Sequence, residues 1–328
     1  MAAETNISRI GQVNAAGDVG ALFLKKFAGE VLTTFETENV FKPLHLVRTI
    51  QNGKSAQFPV TGNTTAKYHT PGDNMLVSAN GYTPSIKHNE RVITIDNLLT
   101  AGATVSRLDE AMNHYDVRSI YTTELGRALA KKFDTTIAKV VALASRQSAN
   151  ISTTGKAGSF INTTSLGGLT PTGAQLAELI FSAAQKLDEN DAPSEDRYFV
   201  ATPTQYYKLV RELASYTNAN AQGSYMDGNI MKVAGVTILK SNNLPNGNDV
   251  TVADSSSNLS GYIGNFTNTV GVVFQKGAAG TVKLLDLAVE SEYKIELQST
   301  FMVAKYAMGH NYLRPECAVE LFNGAARP

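Results

Sequence analysis

Between residues 18 and 35, apolar side chains recur at three- and four-residue steps: Val19, Leu22, Phe23, Phe27, Val31 and Phe35. That period predicts an amphipathic helix, with Asp18 as its N-cap, inside an otherwise polar arm. From Gly53 to Leu98 the period changes to two. Ala56, Phe58 and Val60 alternate on one side and Ile93 and Ile95 on the other, with turn signals at Pro71-Gly72 and Asn80-Gly81 between them. The pattern predicts a long two-stranded hairpin. Its central part, Lys67 to Asn89, is too polar for a core of its own, and an isolated ribbon is marginal in water, so it is expected to lean on something else. After Ser106 comes the strongest helical stripe, through Leu108, Met112, Tyr121, Leu125, Leu129, Phe133, Ile137 and Val141 to about Ser145. Asp116 is placed to restart this helix as an internal cap. A continuous run would span roughly 60 Å at about 1.5 Å per residue, long for a compact domain.

Residues 146–170 are rich in Ser, Thr, Asn and Gly and read as a loop or domain boundary. Beyond them, Thr172 to Leu187 reads as a helix, Asp196 to Ala201 as a buried strand, and Thr202-Pro203 as the start of a helix through Leu213, with proline at a favoured first-turn position. Strands are expected at Gly235 to Leu239 and at Val250 to Ala253. From Val270 onward several apolar or alternating stretches predict strands, an antiparallel set packed on the long helix. The expected order is helical arm, ribbon, long helix, α/β insert, then sheet.

Composition narrows the function classes. In 328 residues, 29 Lys and Arg balance 29 Asp and Glu, and 43% of positions are hydrophobic. This is a folded chain long enough for a real core, without the net positive charge of a protein whose main task is gripping nucleic acid. Cys317 is the single cysteine, so an intrachain disulfide framework is excluded and a reducing compartment is the simpler expectation. The first twenty residues lack the basic-then-apolar order of a secretory signal, and no window reaches the roughly 18 apolar residues of a membrane span. No membrane partner is expected.

Catalytic motifs fail on inspection. Gln51-Asn52-Gly53-Lys54-Ser55 ends like a phosphate-binding loop, but the required first glycine is Arg48 and a strand follows where a helix should begin. His45, His69, His88, His114 and His310 are scattered, without metal-pair spacing. Asp109, Glu110 and Asp116 near His114 fit a helix start that collects carboxylates at its positive end. Cys317 reads as a buried, inert thiol. Neither a G-x-S-x-G elbow nor a G-x-G-x-x-G loop occurs. No catalytic, cofactor-binding or metal-binding residue is assigned, and enzymatic activity is not expected.

Several blocks carry a resemblance: GKSAQFPV at 53–60, ERVITIDNLLTA at 90–101, DEAMNHYDVRS at 109–119, GTVKLLDLAVE at 280–290 and VAKYAMGHNYLRPE at 303–316. In this order they resemble the major capsid protein of short-tailed, podovirus-type (Autographiviridae-like) tailed phages. The resemblance is densest at the ribbon, the long helix and the C-terminal strands and thinnest over 146–265. It implies an α+β Hong-Kong-97-type capsid fold. The N-terminal arm would occupy 1–52, the extended loop 53–98, the peripheral domain 99–169 and 270–328, and the axial α/β domain 170–269. It also implies a shell protein of the virion, assembled in the host cytoplasm. The implied partners are copies of itself in hexamers and pentamers, a scaffolding protein, a portal protein at one vertex, and packaged double-stranded DNA through weak non-specific contact. No Lys–Asn cross-linking pair is assigned. Inter-subunit contact is expected at Tyr68, His69, Pro71, Gly72, Asp73 and Asn74 of the loop and at Phe23, Phe27 and Val31 of the arm. The alternatives are a soluble α/β enzyme centred on 170–265 and a capsid decoration or binding protein.

Overall fold

In the computed structural model the described residues are 39–62, 64, 66–77, 81–82, 86–112, 117–151, 155–216, 232–249 and 262–324. The arm helix expected over 18–35, the restart at Asp116 and the strand expected at 250–253 lie outside them.

Two sheets flank one long helix. A four-stranded sheet has the order β1 (Leu46–Thr49), β12 (Ala279–Lys294), β13 (Ser299–Tyr312), β4 (Leu99–Ser106). A six-stranded mixed sheet has the order β5 (Ser159–Asn162), β14 (Ala318–Phe322), β11 (Thr269–Gln275), β6 (Arg197–Ala201), β8 (Val236–Lys240), β7 (Lys232–Val233). β9 (Asn248–Asp249) pairs with β10 (Gly264–Asn265). The ribbon is separate: β2 (Ser55–Thr61) pairs antiparallel with β3 (His88–Thr94) from Ser55↔Thr94 to Thr61↔His88.

The helical stripe after Ser106 becomes two described helices, α1 (Arg107–Met112) and α2 (Val117–Ser145), on either side of residues 113–116. α2 buries Leu129, Phe133, Ile137, Val140 and Val141, spaced at three and four residues, against β13, β4 and β14. α3 (Gly173–Glu189) starts on a complete capping box: Gln175 N–H donates to the Thr172 hydroxyl and the Thr172 N–H donates to the Gln175 side chain. Its Leu176, Leu179, Ile180, Ala183 and Leu187 are buried against the six-stranded sheet. α4 (Pro203–Tyr216) begins at the proline, where the missing N–H is no loss. A single hydrophobic core joins both sheets and α2, α3 and α4.

The sheet partners differ from the sequence expectation in places. β1, β4 and β5 were not anticipated as strands. β4 alternates Leu99, Ala101, Ala103 and Val105, and alanine is a weak strand former that hides the period. β5 is four residues inside the polar 146–170 segment and pairs in parallel with β14. The six-stranded sheet therefore draws strands from both sides of residues 169 and 270, since β5, β11 and β14 join it with β6, β7 and β8. Pairings between strands 160 residues apart leave no local periodic signal.

Two buried charges tie the layers together. Glu320 on β14 is fully buried and accepts from Arg146 Nη2 at 2.6 Å, Arg146 Nε at 2.8 Å and Thr269 Oγ1 at 2.6 Å, while the Arg146 guanidinium lies 5.1 Å from the Phe266 ring centre. Asp134 on α2, also fully buried, accepts the backbone N–H of Val40 at 3.0 Å and of Phe41 at 3.2 Å, so the chain entering β1 is bonded to the long helix.

Candidate assembly surface

β2 and β3 extend from a base that is welded to the four-stranded sheet. Ala56, Ile93 and Ile95 pack with Val282, Ala307 and Leu313 in a second, smaller core. Above it, the ribbon crosses β13 at Gly309, where an added Cβ would lie 2.0 Å from the Thr94 carbonyl oxygen; only glycine permits this approach. Polar clamps complete the attachment. Arg91 Nε donates to Asn150 Oδ1 at 2.7 Å with its guanidinium 4.3 Å from the Tyr312 ring centre, and Asn311 Nδ2 donates to the Val92 carbonyl at 3.2 Å.

Beneath this crossing lies a buried polar chain. His45 Nδ1 is 2.7 Å from the Phe41 carbonyl, His45 Nε2 is 2.7 Å from Thr281 Oγ1, and Thr281 Oγ1 is 2.8 Å from His310 Nδ1. One arrangement of protons satisfies all of it with both rings neutral: His45 Nδ1–H donates to the carbonyl, the Thr281 hydroxyl donates to His45 Nε2, and His310 Nδ1–H donates to the threonine oxygen. Burial holds both imidazoles well below 6.5, His45 at about 4 and His310 at about 3. Next to them the Tyr262 hydroxyl donates to Asp96 Oδ2 at 2.7 Å and accepts the His310 N–H at 3.0 Å. Burial raises the Asp96 carboxyl and the Tyr262 phenol above their usual ranges. Asp96 follows the ribbon's return strand, so this network also anchors the base.

The far end of the ribbon has the opposite character. At Thr70-Pro71-Gly72-Asp73 the chain turns, with Asp73 N–H donating to the Thr70 carbonyl at 3.1 Å and Gly72 at φ +97°. Proline followed by a positive-φ glycine is the requirement of a type II turn. Tyr82 organises what surrounds it. Its hydroxyl donates to Asp73 Oδ2 at 2.9 Å and accepts the Thr70 N–H at 2.7 Å. The His69 ring sits 5.3 Å and the Lys67 ammonium 5.0 Å from its ring centre. Asn74 Oδ1 accepts the Leu76 N–H at 2.9 Å. The tip is thus shaped by polar contacts and leaves its apolar side chains outside: Tyr68 is 98% exposed and Leu76 84%, with Met75, Val77 and Ile86 about half exposed.

Of the residues expected at inter-subunit contacts, Tyr68, His69, Pro71, Gly72, Asp73 and Asn74 stand together on this tip, whereas Phe23, Phe27 and Val31 lie outside the described residues. Sequence reading passed over Tyr82, which is the hub, and Leu76, the most exposed aliphatic side chain among the described residues. It also passed over Gly309, although an isolated glycine in the apolar run of β13 is the signal of a close backbone approach.

A cavity of about 270 Å³ beside the ribbon is lined by Lys156, Asp191, Arg314, Glu316 and Cys317, with the Lys156 ammonium held by Asp191 Oδ2 at 2.8 Å. The six-stranded sheet borders a cavity of about 360 Å³ whose lining includes Phe41, Val141, Gln205 and Lys208 but no carboxylate, imidazole or thiol. Cys317 is buried, and burial pushes its thiol up to about 12. Among the described residues no group of three or more His, Cys, Asp and Glu could hold a metal ion.

The family model described as "Gp10A-like: Major capsid protein" matches residues 57–322, from inside β2 to the last residue of β14. The chain belongs to the Gp10A-like major capsid protein family. It is 38% identical over 326 residues to the major capsid protein of Escherichia phage T7, covering 93% of each chain. The major capsid protein of Enterobacteria phage T3 is 37% identical, with 94% of this chain and 93% of the relative covered. Among solved structures, the capsid of cyanophage P-SCSP1u superposes with a TM-score of 0.76 at 42% identity, over 99% of this chain and 100% of that one. The mature capsid of bacteriophage PhiM1 matches at a TM-score of 0.67 and 18% identity, over 98% of each chain, which is a likeness of fold. The chain has the Hong-Kong-97-type capsid fold, and it is a structural capsid protein of a tailed-phage virion, not an enzyme. Its work is to form shells from copies of itself.

Proposed function

We propose that the ribbon tip is the contact by which each subunit grips its neighbour, through Tyr68, His69, Pro71, Gly72, Asp73 and Asn74, in an icosahedral shell of hexamers and pentamers around a double-stranded DNA genome. The observation that carries this reading is the exposed apolar tip on a rigidly anchored base. Heterologous contacts between copies close into a shell only where the geometry repeats, and a ribbon laid over a neighbour recruits interface area that a compact globule lacks. Residues 53–98 act as the extended loop. The four-stranded sheet with α2 acts as the peripheral part, and the six-stranded sheet with α3 and α4 as the axial part. Phe23, Phe27 and Val31 of the arm add a second contact. A scaffolding protein guides closure in the host cytoplasm, a portal protein fills one vertex, and the DNA is touched weakly and without sequence preference.

The test replaces residues 63–86 by Asn-Gly, which keeps the Gly62 to Lys87 hydrogen bond at the end of the ladder. The expected product is soluble, melts like the full chain because the tip lies outside both cores, and forms no closed particles under electron microscopy. Normal shells from this variant would remove the tip from the interface.

A further inference from the structure

The outward face of α2 carries a feature that neither the fold nor the ribbon contact accounts for. Of the helix's charged residues whose side chains are described, Asp134 points inward and is fully buried, while Glu124, Arg127, Lys131 and Lys132 are exposed and Lys139 is half-buried. A protein of zero formal charge thus presents four cations and one carboxylate along this face. At 3.6 residues per turn, Arg127 and Lys131 fall on one rim of the exposed stripe and Lys132 and Lys139 on the other, with Ala128 and Thr135 between them. The row covers about 18 Å of helix axis at roughly 1.5 Å per residue.

Helix stability does not explain the pattern. Arg127 pairs with Glu124 at 2.8 Å, but the two side chains are 51% and 60% exposed, and a pair so open to solvent contributes little. Arg127 and Lys131 at i,i+4 repel by a similar amount. Lys131 and Lys132 have no ion-pair partner among the described residues. The helix macrodipole favours cations in the last turn only, and Lys139 lies beyond that turn from the end at Ser145.

We infer that this stripe is the surface on which the shell protein meets its packaged duplex, the phosphate backbone lying along the helix between the two rows of cations. The inference rests on the capsid reading above and names the residues of its weak DNA contact. Small residues between the rows let a backbone approach, and long, mobile lysines meet phosphates as point charges without reading bases. Three or four such contacts give an affinity that salt abolishes, with a slope of log K against log salt of about −3. Contact that weak leaves DNA free to be packed and released.

The experiment uses unassembled full-length subunits, a labelled random-sequence duplex of about 30 base pairs, and anisotropy titrations from low to physiological salt. Wild type should bind with that slope. Lys131→Gln/Lys132→Gln should reduce the slope by about 2, since each phosphate contact contributes about 0.9, and weaken low-salt binding at least tenfold. Its melting temperature should be unchanged, because both side chains are solvated. Unchanged duplex affinity and slope in the variant would overturn the inference. So would wild-type binding to polyglutamate but not to the duplex, which would make the stripe a dock for an acidic protein segment. Electron microscopy of wild-type and variant assemblies separates the two layers of argument. Absence of wild-type shells counts against the capsid contact reading, whereas normal variant shells with lost duplex binding support the stripe.

Discussion

Glu320 and Arg146 illustrate how single buried groups hold this molecule together. The carboxylate is fully buried and accepts four side-chain hydrogen bonds, from Arg146 Nε and Nη2, Thr269 Oγ1 and Ser145 Oγ, so removing it leaves a desolvated guanidinium beside Phe266. Glu320→Ala should lower unfolding free energy by about 3–5 kcal/mol in denaturant melts, whereas Lys305→Ala, which breaks the solvent-screened pair of mid-β13 Lys305 with Glu290, should cost less than about 1 kcal/mol. The two buried histidines make a pH prediction. Their folded values, about 4 and about 3, lie below the ordinary 6.5, so the unfolded chain takes up protons that the folded chain refuses. Stability is full above about pH 6.5 and falls as pH drops toward 4, by about 1.4 kcal/mol per pH unit for each ring. Urea melts of wild type and His310→Gln at pH 7.5, 6 and 5 should converge as pH falls. A gap between them that stays constant with pH would contradict the assignment. Some of this scale was legible in the sequence: Cys317 as a buried, inert thiol needed only its isolation and its apolar surroundings. The His45–Thr281–His310 chain was not, because its members are 236 and 29 residues apart and no spacing rule joins them.

At the scale of elements, periodicity was the reliable guide. Alternation at Ala56, Phe58 and Val60 announced β2, and the three- and four-residue stripe from Leu125 to Val141 announced α2. Thr172 and Pro203 marked two helix starts to within a residue. What escaped was built from small or few residues, namely the alanine-rich β4 and the four-residue β5. The ribbon tip lies between these cases. Its turn at Pro71-Gly72 was readable, but its internal order depends on Tyr82, whose hydroxyl serves Thr70 and Asp73 at once. Tyr82→Phe should speed hydrogen exchange at the Thr70 amide and leave the global melting temperature unchanged. Loss of global stability would mean that the tip is coupled to the core, against its lack of apolar packing.

For the molecule as a whole, charge balance and the absence of catalytic motifs excluded more than they assigned, and the ordered blocks of resemblance carried the capsid reading. The joining of β5, β11 and β14 to β6 in one sheet leaves no local trace in the sequence, because a sheet's partner order is a property of closure. One core through both sheets makes the body a stiff tile. The melting transition should therefore be cooperative, with circular dichroism and core-aromatic fluorescence superposing; separate transitions for the two sheets would contradict a shared core.

The missing methyl at Gly309 works as a fulcrum. From that point seven paired residues on each side reach outward, roughly 23 Å at about 3.3 Å per residue, so a tilt of about 10° at the crossing would swing the lever's end by roughly 4 Å. On the proposed tip contact, particle curvature would be set far from where subunits touch. Gly309→Ala should change the diameter of the particles, or their uniformity, before it changes whether they form.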